Sequence, residues 1–373
     1  METTQTLTAA LKYHARNAQI DLIGITDARP IQCRPWQFGE KTEHYTPCVS
    51  TKIGSNLYDP KRVLPQASHV IMVGMYMYGF DKIVPSTPGC PRGNIGPWTR
   101  GYVEAGRYAT DIVSRFLEER GFQAVFTNAL PYRTLAVQAG LGKIGKNGFL
   151  YSKNFGSYLR LGCVVTDARL TRDDPPEDVE NDCGDCTICV NSCPTGALCA
   201  DGSYDGDRCL HLWLQGQGKA SDGILPEDRP KCLNYLMRTG RCLSLCRRNR
   251  KLKPRQLFPF SAESKPDSPE LIPLVLADED ELHARLPYHV IKYGSENIRQ
   301  NAIIALGNMK DAAAIPVLKR GLHTLSAYHR SLCAWALGEL GAKEELLEAK
   351  PLETDSRVLL EIAAALQKAG GII

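Results

Sequence analysis

In Cys183-Gly-Asp-Cys186-Thr-Ile-Cys189-Val-Asn-Ser-Cys193-Pro194, cysteines recur with the spacing C-x2-C-x2-C-x3-C-P. This spacing is typical of loops whose thiolates hold iron–sulfur clusters. The first three thiolates can ligate three irons of one cubane, and the fourth, set apart by a longer spacer, ligates a second cluster. Paired C-x2-C steps also suit a tetrahedral zinc site, but three close cysteines and a Cys-Pro step favour iron–sulfur clusters.

Two clusters of four irons need about eight thiolates, and cysteines downstream of this motif can supply the remainder. Cys242-Leu-Ser-Leu-Cys246 repeats the x3 step, although Thr239 stands where a further cysteine would precede Cys242. The two-cluster rule then assigns Cys246 to the first cluster. The predicted ligands of the first cluster are therefore Cys183, Cys186, Cys189 and Cys246.

The second cluster is predicted to use Cys193 and Cys242, with Cys209 and Cys232 as candidates to complete it. Cys199 is the spare cysteine of this part of the chain. It follows Pro194-Thr-Gly-Ala-Leu198, which resembles the turn and short apolar strand that come after a cluster loop. We therefore expect the Cys199 thiol to be packed inside the protein.

The length and composition are those of an ordinary chain of two or three domains. The chain has 373 residues and a net charge of +4, and its hydrophobic fraction of 43% is enough for a sizeable core. Fourteen cysteines without a signal peptide indicate metal ligation in a reducing compartment, not a disulfide framework. No apolar run approaches 18 residues, so we expect no membrane span and a cytoplasmic location.

The first 175 residues alternate between helical and strand patterns. Helical spacing occurs at residues 8–17 and 106–120, and apolar runs typical of strands occur at 20–26, 69–78, 121–126 and 158–166. Alternating helices and strands indicate an α/β domain.

A stretch without acidic residues, from Arg120 to Thr166, contains the glycine-rich turn Ala139-Gly-Leu-Gly-Lys-Ile-Gly-Lys-Asn-Gly148. Glycines allow close backbone approach, and unopposed cations suit an anionic or amide-rich ligand. The turn superficially fits G-x-G-x-x-G, but it lacks the upstream strand and the downstream acid of a dinucleotide site. The alternative is a loop glycine cluster with solvated lysines.

The C-terminal part combines a basic run with helical repeats. Residues 247–255 carry six basic side chains in nine and are the better candidates for phosphate contacts, and a proline-rich linker follows. Ala-Leu-Gly or Ala-Leu-Gln then recurs at residues 305–307, 336–338 and 365–367 within apolar helical patterns. This periodicity indicates a short HEAT-type solenoid. Five cations of the repeats either face a nucleic acid or lie on ordinary solvated helix faces. They are Arg299, Lys310, Lys319, Arg320 and Arg330.

The chain resembles the epoxyqueuosine reductases. The resemblance rests on the order of three features, which are the glycine-rich turn, the cysteine motif and the helical repeats. The resemblance implies a cobalamin-dependent enzyme with two [4Fe-4S] clusters that removes an epoxide oxygen from a modified tRNA base, with electrons from an external donor. It implies an α/β cobalamin-binding-like domain at residues 1–175, a ferredoxin-like two-cluster module at 176–256 and HEAT-like repeats at 257–373. It also implies a base-off corrinoid near Arg133, Gly140, Gly142, Lys146 and Asn147, and a tRNA partner bound by the repeats and by residues 247–255.

One departure from the resemblance concerns the proton donor. The family places a catalytic Asp before an Arg and the glycine-rich turn, and a gapless count back from Arg133 puts Phe126 in that place. Tyr132 is the nearest protonatable side chain and is the predicted catalytic donor. The missing acid leaves two alternatives open. One is reductive cleavage of another small electrophile, such as an organohalide, and the other is a non-catalytic electron-transfer protein.

Overall fold

The computed structural model describes residues 3–32, 57–79, 84–96, 101–175, 183–220, 222–255 and 267–369. The chain forms two compact units. The first comprises residues 1–80, 100–206 and 241–262, and the second comprises residues 81–99, 207–240 and 263–373.

The structure has the following elements in chain order. The strands are β1 Leu22–Asp27, β2 Ile31–Gln32, β3 Leu57–Tyr58, β4 His69–Tyr76, β5 Asn94–Ile95, β6 Ala124–Phe126, β7 Lys143–Ile144, β8 Leu150–Tyr151, β9 Leu159–Thr166 and β10 Tyr235–Met237. The helices are α1 Thr4–Asn17, α2 Tyr102–Glu118, α3 Tyr132–Gln138, α4 Ile188–Asn191, α5 Leu210–Trp213, α6 Arg241–Ser244, α7 Glu279–Arg285, α8 Tyr288–Ile291, α9 Ser295–Met309, α10 Ile315–Thr324, α11 Ala327–Glu339, α12 Lys343–Ala349 and α13 Ser356–Ala369.

A four-stranded sheet with the order β1-β4-β9-β6 forms the centre of the first unit. Successive side chains of a strand point to opposite faces. Cys163 and Val165 of β9 pack in the core cluster that contains α3, whereas Gly162 approaches Thr110 of α2. Helices therefore cover both faces, and this explains why β4 and β9 are almost continuous apolar runs.

The sheet is antiparallel at every one of its three strand pairs. The predicted strands and helices are present, and the sheet that they build is antiparallel. An antiparallel pair such as β1 and β4 does not require a crossover helix between its strands. The β7–β8 hairpin lies between α3 and β9, and the cysteine motif follows β9 along the chain.

The second unit contains the helical repeats, and their small residues let the helices approach closely. A Cβ added to Gly307 of α9 would lie 3.1 Å from the Ala336 Cα of α11. A Cβ added to Gly338 of α11 would lie 2.9 Å from the Ala365 Cα of α13. The recurring Ala-Leu-Gly triplets are thus the contact points between successive repeats, as the periodicity predicts.

The two units differ from the three predicted segments, because residues 207–240 belong with the repeats. Asn301 of α9 donates hydrogen bonds to the carbonyl oxygens of Leu214 and Leu236 at 2.8 and 2.9 Å, which ties this segment to the first repeat helix. The predicted boundaries at residues 176 and 257, and the linker residues 256–266, lie outside the described residues. Within the part of the chain that is described, no helix is both long and apolar enough to cross a bilayer.

Candidate functional site

Four thiols of the first unit line one cavity. They are Cys183 and Cys186 from the motif loop, Cys189 from α4, and Cys246, which comes directly after a turn that follows α6. The cavity is partly open to solvent. Helix α4 packs against α6, and this contact brings the distant Cys246 to the motif. The structure therefore brings together the four predicted ligands of the first cluster.

Four thiols that line one cavity are the donor set of a [4Fe-4S] cluster. Four thiolates also suit a tetrahedral zinc ion, so the preference for a cluster rests on the C-x2-C-x2-C-x3-C-P spacing.

The same thiols influence each other's ionisation. Burial raises the pKa of Cys189 to about 11, with smaller contributions from the neighbouring charges of Cys246 and Cys183. Burial also raises the pKa of Cys246, with further contributions from Cys183 and Cys186. Metal ligation requires thiolates, so binding of positively charged iron would release protons from these groups.

Cationic side chains surround the cavity. Lys146, Arg247 and Arg248 line it, and the Arg248 guanidinium lies 3.7 Å from the centre of the Tyr151 ring. A cluster with four thiolate ligands is an anion, and nearby cations offset its charge. The first two residues of the basic run, Arg247 and Arg248, therefore belong to the lining of the site. The sequence pattern of the run did not indicate this.

Cys193, the fourth cysteine of the motif, has different surroundings. Burial alone would raise its pKa, but hydrogen bonds from the Thr195 hydroxyl and from the backbone of Thr195, Ala197 and Leu198 outweigh burial and lower the pKa of Cys193. The Ala197 amide donates to its Sγ at 3.3 Å. A lowered pKa favours the thiolate, which is the form that ligates metal.

The remaining cysteines divide by exposure. Cys209 precedes α5 and Cys242 lies in α6, and both are partly exposed. Cys232 is 1% exposed in the apolar core of the second unit, and burial raises its pKa to about 12. Cys199 is exposed at a turn, so the expectation of a packed thiol is wrong. The packed thiol of this segment is Cys232.

Backbone atoms of the protein occupy the space beside two glycines of the turn, where a side chain would otherwise lie. A Cβ on Gly142 would lie 2.1 Å from the Tyr151 carbonyl oxygen, and one on Gly140 would lie 2.7 Å from the Asp174 carbonyl oxygen. These glycines are needed for close packing within the unit. Arg133, also predicted to bind the cofactor, lies 4.9 Å from the centre of the Phe149 ring.

Lys146 and Asn147, the other predicted cofactor residues, line the four-thiol cavity. The structure thus places them beside the proposed first cluster. Their hydrogen bonds also reach the cysteine loops, since Lys146 donates to the Gly184 carbonyl at 2.5 Å and Asn147 to the Cys242 carbonyl at 3.0 Å.

The surroundings of Tyr132 give it a structural role. Its side chain is 3% exposed within the core cluster, and its hydroxyl donates to the Thr127 carbonyl at 2.5 Å. A buried phenol with its proton committed in this way is a poor donor to a substrate. Phe126, in the place of the family's acid, is 43% exposed at the end of the edge strand β6.

The cations predicted to face a nucleic acid are mostly engaged in the protein's own ion pairs. Arg330 binds Glu353 through two hydrogen bonds at 2.8 and 2.9 Å, and Arg299 donates to Glu296 and to the carbonyls of Val275 and Ala277. Further pairs join Lys319 to Glu348 and Lys310 to Glu339. Arg320 is exposed.

In the basic run, Arg255 forms a bidentate pair with Asp21 at 2.7 and 2.6 Å. Arg247, which lines the four-thiol cavity, is exposed to solvent, as are Arg250, Lys251 and Lys253, which lie outside the cavity lining.

Comparison with known proteins decides the family. Residues 289–370 match the HEAT-repeat family. The epoxyqueuosine reductase of Bacillus subtilis (strain 168) is 31% identical over 333 residues, which cover 84% of this chain and 83% of that protein. The chain belongs to the epoxyqueuosine reductase family. The epoxyqueuosine reductase of Staphylococcus aureus is 28% identical over 95% of this chain and 94% of its own length.

Solved structures agree with this assignment. A crystal structure of epoxyqueuosine reductase with a tRNA-Tyr epoxyqueuosine-modified stem loop has a TM-score of 0.80 and 27% identity, covering 98% of this chain and 99% of that chain. The epoxyqueuosine reductase of Streptococcus thermophilus also gives a TM-score of 0.80, at 25% identity over 96% of this chain and 98% of that chain. Membership of the epoxyqueuosine reductase family makes the chain an oxidoreductase.

Proposed function

We propose that this chain is an iron–sulfur-dependent reductase of queuosine synthesis, acting on an epoxide in a modified tRNA base. The observation that carries the proposal is the convergence of Cys183, Cys186, Cys189 and Cys246 on one cavity, in a chain of the epoxyqueuosine reductase family. These four residues hold the first [4Fe-4S] cluster. When bound, such clusters accept and pass on single electrons.

For the second cluster we propose Cys193 and Cys242, both of the first unit, as protein ligands. Hydrogen bonds lower the pKa of Cys193, whereas Cys232 is enclosed by apolar side chains. Cys209 stays a candidate from the cysteine pattern, and Thr239 stands where that pattern would supply a further thiolate. With Cys209 the pattern supplies three cysteines in place of four for this cluster.

Cobalamin is the cofactor that the family resemblance implies. A Cβ on Gly140 or Gly142 would meet the backbone carbonyl of Asp174 or Tyr151, so these two glycines serve close packing within the unit. We assign no step to a corrinoid. Its binding is a prediction for the cofactor measurement below.

A tRNA substrate is supported by the related enzyme that was crystallised with a modified tRNA stem loop. In this chain we assign the phosphate contacts to Arg250, Lys251 and Lys253 instead of the ion-paired cations of the repeats. Electrons come from an external donor. The proton is supplied by a group other than Tyr132, since that hydroxyl is committed to the Thr127 carbonyl.

A second candidate, reductive cleavage of a different small electrophile, is favoured by one observation. Phe126 occupies the place of the family's acid, and the stretch from Arg120 to Thr166 has no acidic residue. A leaving group that departs as a stable anion, such as a halide, needs no proton from the protein.

The test is cofactor content and turnover after anaerobic reconstitution. We expect about eight irons per chain, a decrease by about half in Cys183→Ser, and deoxygenation of epoxyqueuosine in tRNA when a chemical reductant is supplied. Added cobalamin is monitored by its visible and EPR spectra. Iron content that is unchanged in Cys183→Ser would contradict the first-cluster assignment. Full cluster content without turnover of tRNA, but with turnover of an organohalide, would favour the second candidate.

A further inference from the structure

Two adjacent side chains of the glycine-rich turn reach loops that carry different sets of cysteines. Lys146 Nζ donates to the carbonyl of Gly184, which lies between Cys183 and Cys186 of the proposed first cluster. Asn147 Nδ2 donates to the carbonyl of Cys242, a proposed ligand of the second cluster. All of these residues belong to the first compact unit.

The turn is itself fixed by short-range hydrogen bonds. The Gly145 amide donates to the Phe149 carbonyl at 3.0 Å and the Gly148 amide to the Gly145 carbonyl at 2.8 Å. Asn147 is 8% exposed, and its Oδ1 accepts from the Phe149 amide at 3.2 Å. The side-chain amide is therefore oriented by its own turn, and its N–H group is directed at Cys242.

We propose that Lys146 and Asn147 are positioning residues of the iron–sulfur machinery, Lys146 for the first cluster and Asn147 for the second. The inference rests on the function proposed above. Lys146 lines the four-thiol cavity, and a cluster gains negative charge on reduction. A cation there favours the reduced form. Asn147 acts differently, since it holds the backbone that carries the Cys242 thiolate, and an unsatisfied carbonyl in a partly buried site is costly.

Lys146 is tested by the reduction potential of each cluster, measured by EPR during a redox titration of the reconstituted full chain. Lys146→Met should shift the potential of the first cluster to a more negative value and leave the second unchanged. Lys146→Arg should restore most of the wild-type potential. Lys143→Met is the matched control. It removes an equal charge three residues earlier in the chain, and the Lys143 side chain is not part of the cavity lining. A first-cluster potential that does not move in Lys146→Met, or that moves equally in Lys143→Met, would overturn this role.

Asn147 is tested by cluster occupancy. Asn147→Asp keeps the acceptor for the Phe149 amide but cannot donate to Cys242, and Asn147→Leu removes both functions without adding charge. Both variants should lose the second-cluster EPR signal and retain the first, with signals assigned from Cys193→Ser and Cys183→Ser. Retention of both signals in Asn147→Asp, or loss of the first signal alone, would overturn the assignment.

The outcomes separate this inference from the proposed function. A wild-type chain that takes up no iron–sulfur cluster would defeat the proposed function. A wild-type chain with both clusters, whose potentials and signals are unaffected by every Lys146 and Asn147 variant, would defeat only the inference.

Discussion

At the scale of single residues, the surroundings of each cysteine separate ligand candidates that spacing leaves equivalent. The Sγ of Cys193 accepts a hydrogen bond from the Ala197 amide, and Cys232 packs among apolar side chains. We expect Cys193→Ser to lower iron content by removing a ligand of the second cluster, and Cys232→Ser to leave it unchanged. Iron and sulfide analysis of both variants, purified anaerobically, is the measurement. Iron loss in Cys232→Ser without unfolding would restore Cys232 to the ligand set.

Thr239 gives a second prediction at this scale. A cluster with three cysteine ligands has one iron that lacks a thiolate and is lost more readily on oxidation. We expect Thr239→Cys to slow the loss of iron from the second cluster in air, relative to the wild-type chain. Time courses of iron content and of the EPR signal measure this. Thr239→Ser is the control, because it keeps a hydroxyl and adds no thiolate, and a matching effect in that variant would contradict the explanation.

The sequence pattern predicted that Cys183, Cys186, Cys189 and Cys246 lie together, as they do around one cavity, but not how buried the other cysteines are. C-x2-C spacing constrains the local loop, whereas burial depends on the chain that packs over it. Cys232 is enclosed because residues 207–240 pack with the first repeat helix, which no local pattern reveals.

At the scale of secondary-structure elements, close packing of the repeats makes a direct prediction. A Cβ on Gly338 would approach the Ala365 Cβ to 2.6 Å and its Cα to 2.9 Å, so α11 and α13 must separate to accept a side chain. We expect Gly338→Val to lower the unfolding free energy by about 1–3 kcal/mol through overpacking. Thermal unfolding followed by circular dichroism measures it.

Leu360→Ala serves as the control for that prediction. Leu360 lies on α13 and is 73% exposed, so its truncation should change stability by less than about 0.5 kcal/mol. Equal destabilisation by the two substitutions would show that the glycine contact is unimportant.

The ion pair of Arg330 with Glu353 predicts a pH dependence of repeat stability. Hydrogen bonds from the Arg330 guanidinium lower the pKa of Glu353 to about 2, from an ordinary value of 4.5. A lowered folded-state pKa means that the contribution is present above about pH 4.5 and is lost as the pH falls toward 2. Glu353→Gln should be less stable than wild type at pH 7, and the difference should shrink below pH 4.5. A difference that is constant from pH 7 to pH 3 would contradict this origin.

Element types could be predicted from the sequence, whereas their pairing could not. The apolar runs that became β4 and β9 and the period of α2 are local patterns, and the structure confirms them. Strand direction in the sheet depends on which distant strands pair. The repeats were predicted more completely, because each Ala-Leu-Gly triplet contacts only its neighbour and so leaves its full signature in the sequence.

At the scale of the whole molecule, the distribution of exposed cations predicts which residues contribute to tRNA binding. We expect Arg250→Ala, Lys251→Ala and Lys253→Ala, combined, to weaken tRNA binding. The slope of log K against log salt concentration should fall by up to about 0.9 for each phosphate that is no longer neutralised. Binding titrations at several salt concentrations measure it.

The matched control for RNA binding removes three cations that the protein already pairs. Lys310, Lys319 and Lys368 contact Glu339 or Glu348, so their combined replacement by Ala changes the net charge by the same amount. Equal weakening in both triple variants would show that binding responds to total charge and not to the exposed part of the basic run.

The hydrogen bonds of Lys146 and Asn147 have a consequence for the speed of electron movement. Tunnelling between two redox centres slows steeply as the gap between them widens. Consecutive residues of one tight turn can separate by no more than a Cα–Cα step of about 3.8 Å. The loops at Gly184 and Cys242 are thus both hydrogen-bonded to the same short turn, which limits changes in the distance between them. Thermal motion of the surrounding unit would then displace both loops together and leave the tunnelling gap nearly constant.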